Sequence, residues 1–176
     1  MRNKLLMFAV LVSLSGLSAQ AQHDVPAKGT ERIIKEVRHE ILMLPYFGVF
    51  DNIDFKVSGY QVTLAGQVTN PTLKKDAENG VKHIEGVEGV TNQIEVLPTS
   101  SMDDGLRLRL YRAIYGFPTL EKYAMPVIKP IRIIVKNGHV TLEGVVDNEN
   151  DKNVAGIQAN SVSGIFSVTN NLRVEK

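Results

Sequence analysis

Four histidines, His23, His39, His83 and His139, are the side chains best suited to metal ligation or proton transfer near neutral pH. They fall in an N-terminal tail, on the outer faces of two helical segments and in a hairpin turn, at none of the short spacings by which ligands converge on a metal. The chain has no cysteine, so thiolate sites, disulfides and an acylated-cysteine anchor are excluded. No nucleophile stands beside a recognisable base, so no catalytic residue, metal or cofactor is assigned and no small-molecule substrate or enzyme activity is expected. Asn92 and Asn170 occupy equivalent core-facing places, where their amides are expected to satisfy nearby backbone groups. Gly86-Val87-Glu88-Gly89 imitates a loop that clamps nucleotides, but its acidic residue and the lack of a basic cluster argue against nucleic acid.

A different chemistry is written between Leu106 and Phe117. On helical spacing Leu106, Leu110, Ala113, Ile114 and Phe117 face one way, and Leu108, Tyr111 and Tyr115 fall on the other side near Arg112. Arg107 and Arg109 flank that outer stripe. Tyrosine rings sit well at the headgroup level of a membrane and guanidinium pairs with phosphate, so the stripe suits an anionic phospholipid surface. Arg107, Leu108, Arg109, Tyr111, Arg112 and Tyr115 are therefore the candidate lipid-binding residues. The same stripe equally suits packing against a neighbouring domain or against the segment Tyr123 to Val127, because an apolar patch marks an interface without naming it. The matching outer face of the earlier helix, Lys35, Arg38, His39 and Leu42, reads as solvated surface.

Export is expected from the first residues. Arg2 and Lys4 precede an apolar run from Leu5 to Leu17 and then Ala19-Gln20-Ala21, the order of a secretory signal peptide with cleavage after Ala21. A run of about a dozen residues is short of the ~20 that a spanning helix needs. Removing the leader takes away two positive charges, so the formal net charge falls from +1 to +1 − 2 = −1. From Gln22 to Leu97 the balance is 8 − 11 = −3 and from Pro98 to Lys176 it is 10 − 8 = +2, so the second half is the better partner for an anionic surface.

These residues are positioned by a unit that occurs twice. Ile53 to Val96 recurs from Ile131 to Val174 at a constant offset of 78 without a gap, keeping Val62-Thr63-Leu64, Gly66, Val68, Asn70, Gly86, Val90-Thr91-Asn92 and Val96. Each copy begins with two alternating apolar runs joined by a tight turn, Gly59-Tyr60 suiting type II′ and Asn137-Gly138 type I′. A helix follows, capped by Asn70 ahead of Pro71, or by Asn148 with Asp151 three residues on. A third strand follows, Val90 to Val96 or Val168 to Val174. An amphipathic helix precedes each hairpin, about Glu31 to Leu44 after Thr30 and about Asp104 to Gly116 after Asp103. The fold class is α+β, two tandem α-β-β-α-β domains at 22–98 and 99–176, each a three-stranded mixed sheet covered on one face by two helices.

On these residues the chain resembles the BON-domain family, whose pattern is a hairpin with Gly-x-Val-x-Leu-x-Gly-x-Val, a helix, then Gly-Val-x-x-Val-x-Asn-x-Leu-x-Val. Gly138, Val140, Leu142, Gly144 and Val146, then Gly164, Ile165, Val168, Asn170, Leu172 and Val174, follow it closely. In the first copy Tyr60 stands where the pattern has its first Gly. The tandem plan is similar to OsmY-type periplasmic proteins. The resemblance implies a soluble periplasmic protein attached to phospholipid surfaces and supporting envelope integrity under osmotic or other envelope stress. It also admits a protein-interaction module or holdase-like chaperone for envelope proteins. The family motif is mostly core positions and turn glycines, so it carries architecture further than it carries a site.

Overall fold

The computed structural model describes residues 27–175, so the leader, its cleavage point and His23 lie outside the described residues. The first unit runs α1 (Ala27–Leu42), β1 (Asn52–Ser58), β2 (Gln61–Val68), α2 (Pro71–Lys82), β3 (Gly89–Asn92) and β4 (Glu95–Val96). The second runs α3 (Ser101–Tyr115), a 3-10 turn (Glu121–Ala124), β5 (Ile131–Lys136), β6 (His139–Val146), α4 (Glu149–Asn160), β7 (Ser167–Asn170) and β8 (Arg173–Val174). In each unit the hairpin is antiparallel and its second strand pairs in parallel with the strand that follows the helix, giving a mixed sheet with the hairpin's first strand at one edge.

The alternation explains the layers. Val62, Leu64 and Val68 of β2 point into a core with Ile33, Val37 and Ile41 of α1 and Leu73, Ala77 and Val81 of α2. Val140, Leu142 and Val146 meet Leu106, Leu110 and Ile114 of α3 and Ala155 and Ala159 of α4. Both hairpins close as the sequence predicts: Asn137 and Gly138 have φ of 53° and 78°, as type I′ requires at both central positions, whereas in the first turn only Gly59 is positive, at 63°. Asn70 Oδ1 accepts from the Thr72 N–H at 2.9 Å and Asn148 Oδ1 from the Asp151 N–H at 2.9 Å, so both helix caps form. Gly66 and Gly144 have φ of 120°, and a Cβ there would stand 2.2 Å from the Asn52 carbonyl oxygen and 1.9 Å from that of Pro130. Only glycine lets the hairpin strands approach so closely.

Three local expectations are revised. The third strand is split at residues 93–94 and 171–172, with the same pairing register on either side of the break. An asparagine stands at each break: Asn92 Nδ2 donates to the Lys74 carbonyl at 2.8 Å while its Oδ1 accepts from the Ile94 N–H at 3.1 Å, and Asn170 does the same with Lys152 and Leu172. The side chain ties the strand to the preceding helix at the break, while the Gln93 N–H still donates to the Leu64 carbonyl at 2.8 Å. The first helix starts at Ala27, ahead of Thr30, and ends at Leu42. In α3 the cap is Ser100, whose Oγ accepts from the Asp103 N–H at 3.2 Å, so Asp103 is free for another role. Its carboxylate is buried and accepts from the Asn137 and Gly138 N–H groups, pinning the second hairpin's turn to the helix.

Candidate functional site

The stripe expected to face outward on α3 is divided. Arg107 and Tyr115 are each 4% exposed, which corrects their placement on an open surface. They follow Leu106 and Ile114 by one residue, so they lie about 100° round from the core line and reach the rim of the sheet. There they cap the two ends of the free edge of β5. The Tyr115 hydroxyl donates to the Ile131 carbonyl at 2.6 Å and accepts from the Ile131 N–H at 3.1 Å, and Arg107 Nη2 donates to the Val135 carbonyl at 2.7 Å. Burial pushes the Tyr115 phenol above its ordinary range, so it remains a neutral cap. Between these two, the Ile133 N–H donates to the carbonyl of Val49, a residue of the first unit, at 2.8 Å. Tyr111 is half-buried, with its ring against Tyr115 at 4.9 Å and edge-on to Phe50 at 6.4 Å.

The Gly48–Asp51 turn, closed by the Asp51 N–H donating to the Gly48 carbonyl at 3.2 Å, therefore lays the Val49 carbonyl on the free edge of β5. Asp51, 2% exposed, holds it: one carboxylate oxygen accepts from the Gly48 N–H and the other from the N–H and hydroxyl of Thr69. Arg132 donates to the Gly48 carbonyl at 2.8 Å and lies over the Phe47 ring at 4.6 Å, its pKa lowered by burial. Of the six candidate residues, Leu108, Arg109 and Arg112 remain exposed, joined by Met102. Among the described residues neither Arg109 nor Arg112 has a carboxylate partner, whereas Arg107 pairs with Asp104.

The first unit has the same corner without its seal. Residues 34, 38 and 42 of α1 stand where α3 has 107, 111 and 115, and they are Ile, Arg and Leu, two of which cannot hydrogen-bond. Ile34, Arg38, Ile41 and Leu42 with Asn52 to Val57 line an open groove of about 470 Å³, bordered by Phe47, Arg132 and Arg173. Reading the helix outer face alone misses this groove; the signal was in the comparison of the two copies, Ile34 against Arg107 and Leu42 against Tyr115.

A cluster in the second unit carries titratable groups. Lys122 Nζ bridges Asp147 and Asp151 at 2.5 and 2.8 Å, and the Tyr123 hydroxyl donates to Asp151 at 2.6 Å while accepting from the Asp147 N–H at 2.8 Å. Burial drives the Tyr123 phenol up to about 12, and hydrogen bonds to Asp147 and Asp151 raise the Lys122 pKa. Every group is satisfied within the cluster, which fastens the 3-10 turn to the start of α4 rather than offering a free acid or base. His139 shares a 2.7 Å hydrogen bond with the Ser167 hydroxyl, and His83 lies against the Asn79 carbonyl. Among the described residues no three carboxylate or imidazole groups are placed to hold a metal, and no helix is long and apolar enough to cross a membrane.

The family model for the BON domain matches residues 30–98 and again 120–176. No curated protein matches. Two solved structures of CdsD, a structural protein of the type III secretion system of Chlamydia trachomatis, are similar at 15% and 14% identity. Both cover 82% of this chain, and 94% and 98% of their own, with a TM-score of 0.29. The second is the C-terminal domain of that protein.

Proposed function

The chain belongs to the BON-domain family, with two copies in tandem, and from that premise we propose that it is a non-catalytic envelope protein that docks on anionic phospholipid surfaces through the outward face of α3. The observation that carries this reading is the pairing of exposed apolar groups with unpaired guanidinium groups: Leu108 and Met102 are 52% and 51% exposed beside Arg109 and Arg112. An apolar side chain entering the headgroup boundary next to cations that meet phosphate is the arrangement of a surface-bound helix. The positive balance of the second half adds long-range attraction. The docking set is accordingly Leu108, Arg109 and Arg112. Arg107 and Tyr115 support it from behind by fixing α3 on its sheet, and Tyr111 supports the contact with the first unit.

Sedimentation of the mature chain, Gln22 to Lys176, with anionic and zwitterionic vesicles tests the proposal. Anionic-selective binding that weakens at high salt and is lost in a Leu108→Ser, Arg109→Gln, Arg112→Gln variant is expected, since all three side chains are exposed and their removal leaves the core intact. No binding to either vesicle at low salt would overturn it and leave the face as a protein contact.

A further inference from the structure

The two units share one docking geometry, but only one of the two possible contacts is made. In the second unit the free edge of β5 is partly occupied: Tyr115 takes both groups of Ile131, Val49 takes the Ile133 N–H and Arg107 takes the Val135 carbonyl. In the first unit Ile53, Phe55 and Val57 hold the same register positions in β1, opposite Gly66, Leu64 and Val62, as Ile131, Ile133 and Val135 hold opposite Gly144, Leu142 and Val140. Their outward N–H and C=O groups have no partner among the described residues, because Ile34 and Leu42 replace the arginine and tyrosine that would cap them. An uncapped strand edge beside Ile34, Ile41 and Leu42, with Arg38 over the Phe55 ring at 5.8 Å, is a template for pairing with another chain segment.

The chain also carries the other half of that contact. Carried back past Ile53 into the stretch before the hairpin, where the second unit is longer, the offset of 78 sets Met125, Val127 and Ile128 opposite Phe47, Val49 and Phe50. They keep the apolar character of the docked segment, yet they are 83%, 98% and 41% exposed. As Asp51 shapes the first segment, Lys129 shapes the second, donating to the Ala124 and Pro126 carbonyls at 2.8 and 2.7 Å.

We propose that Met125–Ile128 of one molecule adds to the β1 edge of a second copy, with the Val127 carbonyl accepting from the Phe55 N–H as Val49 accepts from Ile133 within the chain. The intramolecular contact is the template: the first unit's pre-hairpin segment fills the second unit's groove, and the second unit's equivalent segment fills the first unit's groove in a neighbour. Such a contact is heterologous, head to tail, so it builds short linear assemblies or a closed ring rather than a two-fold dimer. Position 54 is Asp where position 132 is Arg, so the clamp on the carbonyl of the preceding residue is missing. The association is therefore reversible and depends on concentration. It is independent of lipid contact, since it uses neither Leu108 nor Arg109 nor Arg112.

Sedimentation equilibrium of the mature chain and of two variants, each checked for native circular dichroism, decides the matter. Val127→Asp removes the segment and keeps the groove; Leu42→Arg blocks the groove and keeps the segment. The wild-type chain is expected to gain mass with concentration, and each variant alone to associate at least about tenfold more weakly. An equimolar mixture of the two variants is expected to form one species of twice the monomer mass, because each supplies the half that the other lacks. A wild-type chain that stays monomeric, a Val127→Asp variant that associates like wild type, or a mixture that stays monomeric would each overturn the proposal.

Discussion

Tyr115 shows how one atom decides between a surface residue and a structural one. Its hydroxyl serves both backbone groups of Ile131. Tyr115→Phe keeps the ring and strands a buried donor and acceptor, so a loss of about 1–3 kcal/mol in denaturant unfolding is expected, with vesicle binding of the folded fraction unchanged. A helical wheel divides α3 into an inner and an outer face, and it has no place for residues that stand beside the core line and meet a sheet edge. That is why the burial of Arg107 and Tyr115 was not legible, whereas the exposure of Leu108, Arg109 and Arg112 was. Asp151 supplies a pH test. Burial pushes its carboxyl up, but the hydrogen bonds from Lys122 and Tyr123 outweigh it and hold the pKa below the ordinary 3.8. A depressed folded value means stability that is fully present above pH 3.8 and lost as pH falls through the lower folded value. Asp151→Asn is expected to lower the melting temperature at neutral pH and to flatten its fall on acidification, measured by calorimetry.

Among the elements, the hairpins and the second helix of each unit were written most plainly, because Asn-Gly, Gly-x and Asn-Pro each demand one backbone conformation. The split third strand was less plain, since alternation continues through Gln93 and Ile94 across the break. Asn170→Ala is expected to cost about 1–3 kcal/mol, because it leaves the Leu172 N–H and the Lys152 carbonyl without their partner. The segment from Phe47 to Asp51 carries no repeating pattern, so the turn that brings the Val49 carbonyl to β5 could not be read from periodicity. Asp51→Ala frees the Gly48 and Thr69 groups that shape it. That substitution is expected to loosen the contact between the units, read as faster exchange of the Ile133 amide hydrogen while the core of each unit stays protected.

At the scale of the whole molecule, gapless repetition made the architecture legible and the departures from repetition mark the two proposed contact surfaces. The outer face of the second unit's first helix exchanges the polar residues of its counterpart for leucine and arginine, and the first unit leaves open the sheet edge that the second partly caps. The most direct test of the docking face uses the absence of tryptophan from the chain. Leu108→Trp and Ile157→Trp each place one reporter at an exposed apolar position, on α3 and on α4 respectively. With anionic vesicles at low salt the fluorescence of the first is expected to shift to the blue and to return at high salt, while the second does not move. A shift confined to the Ile157→Trp reporter, an equal shift in both, or no shift in either would contradict the account.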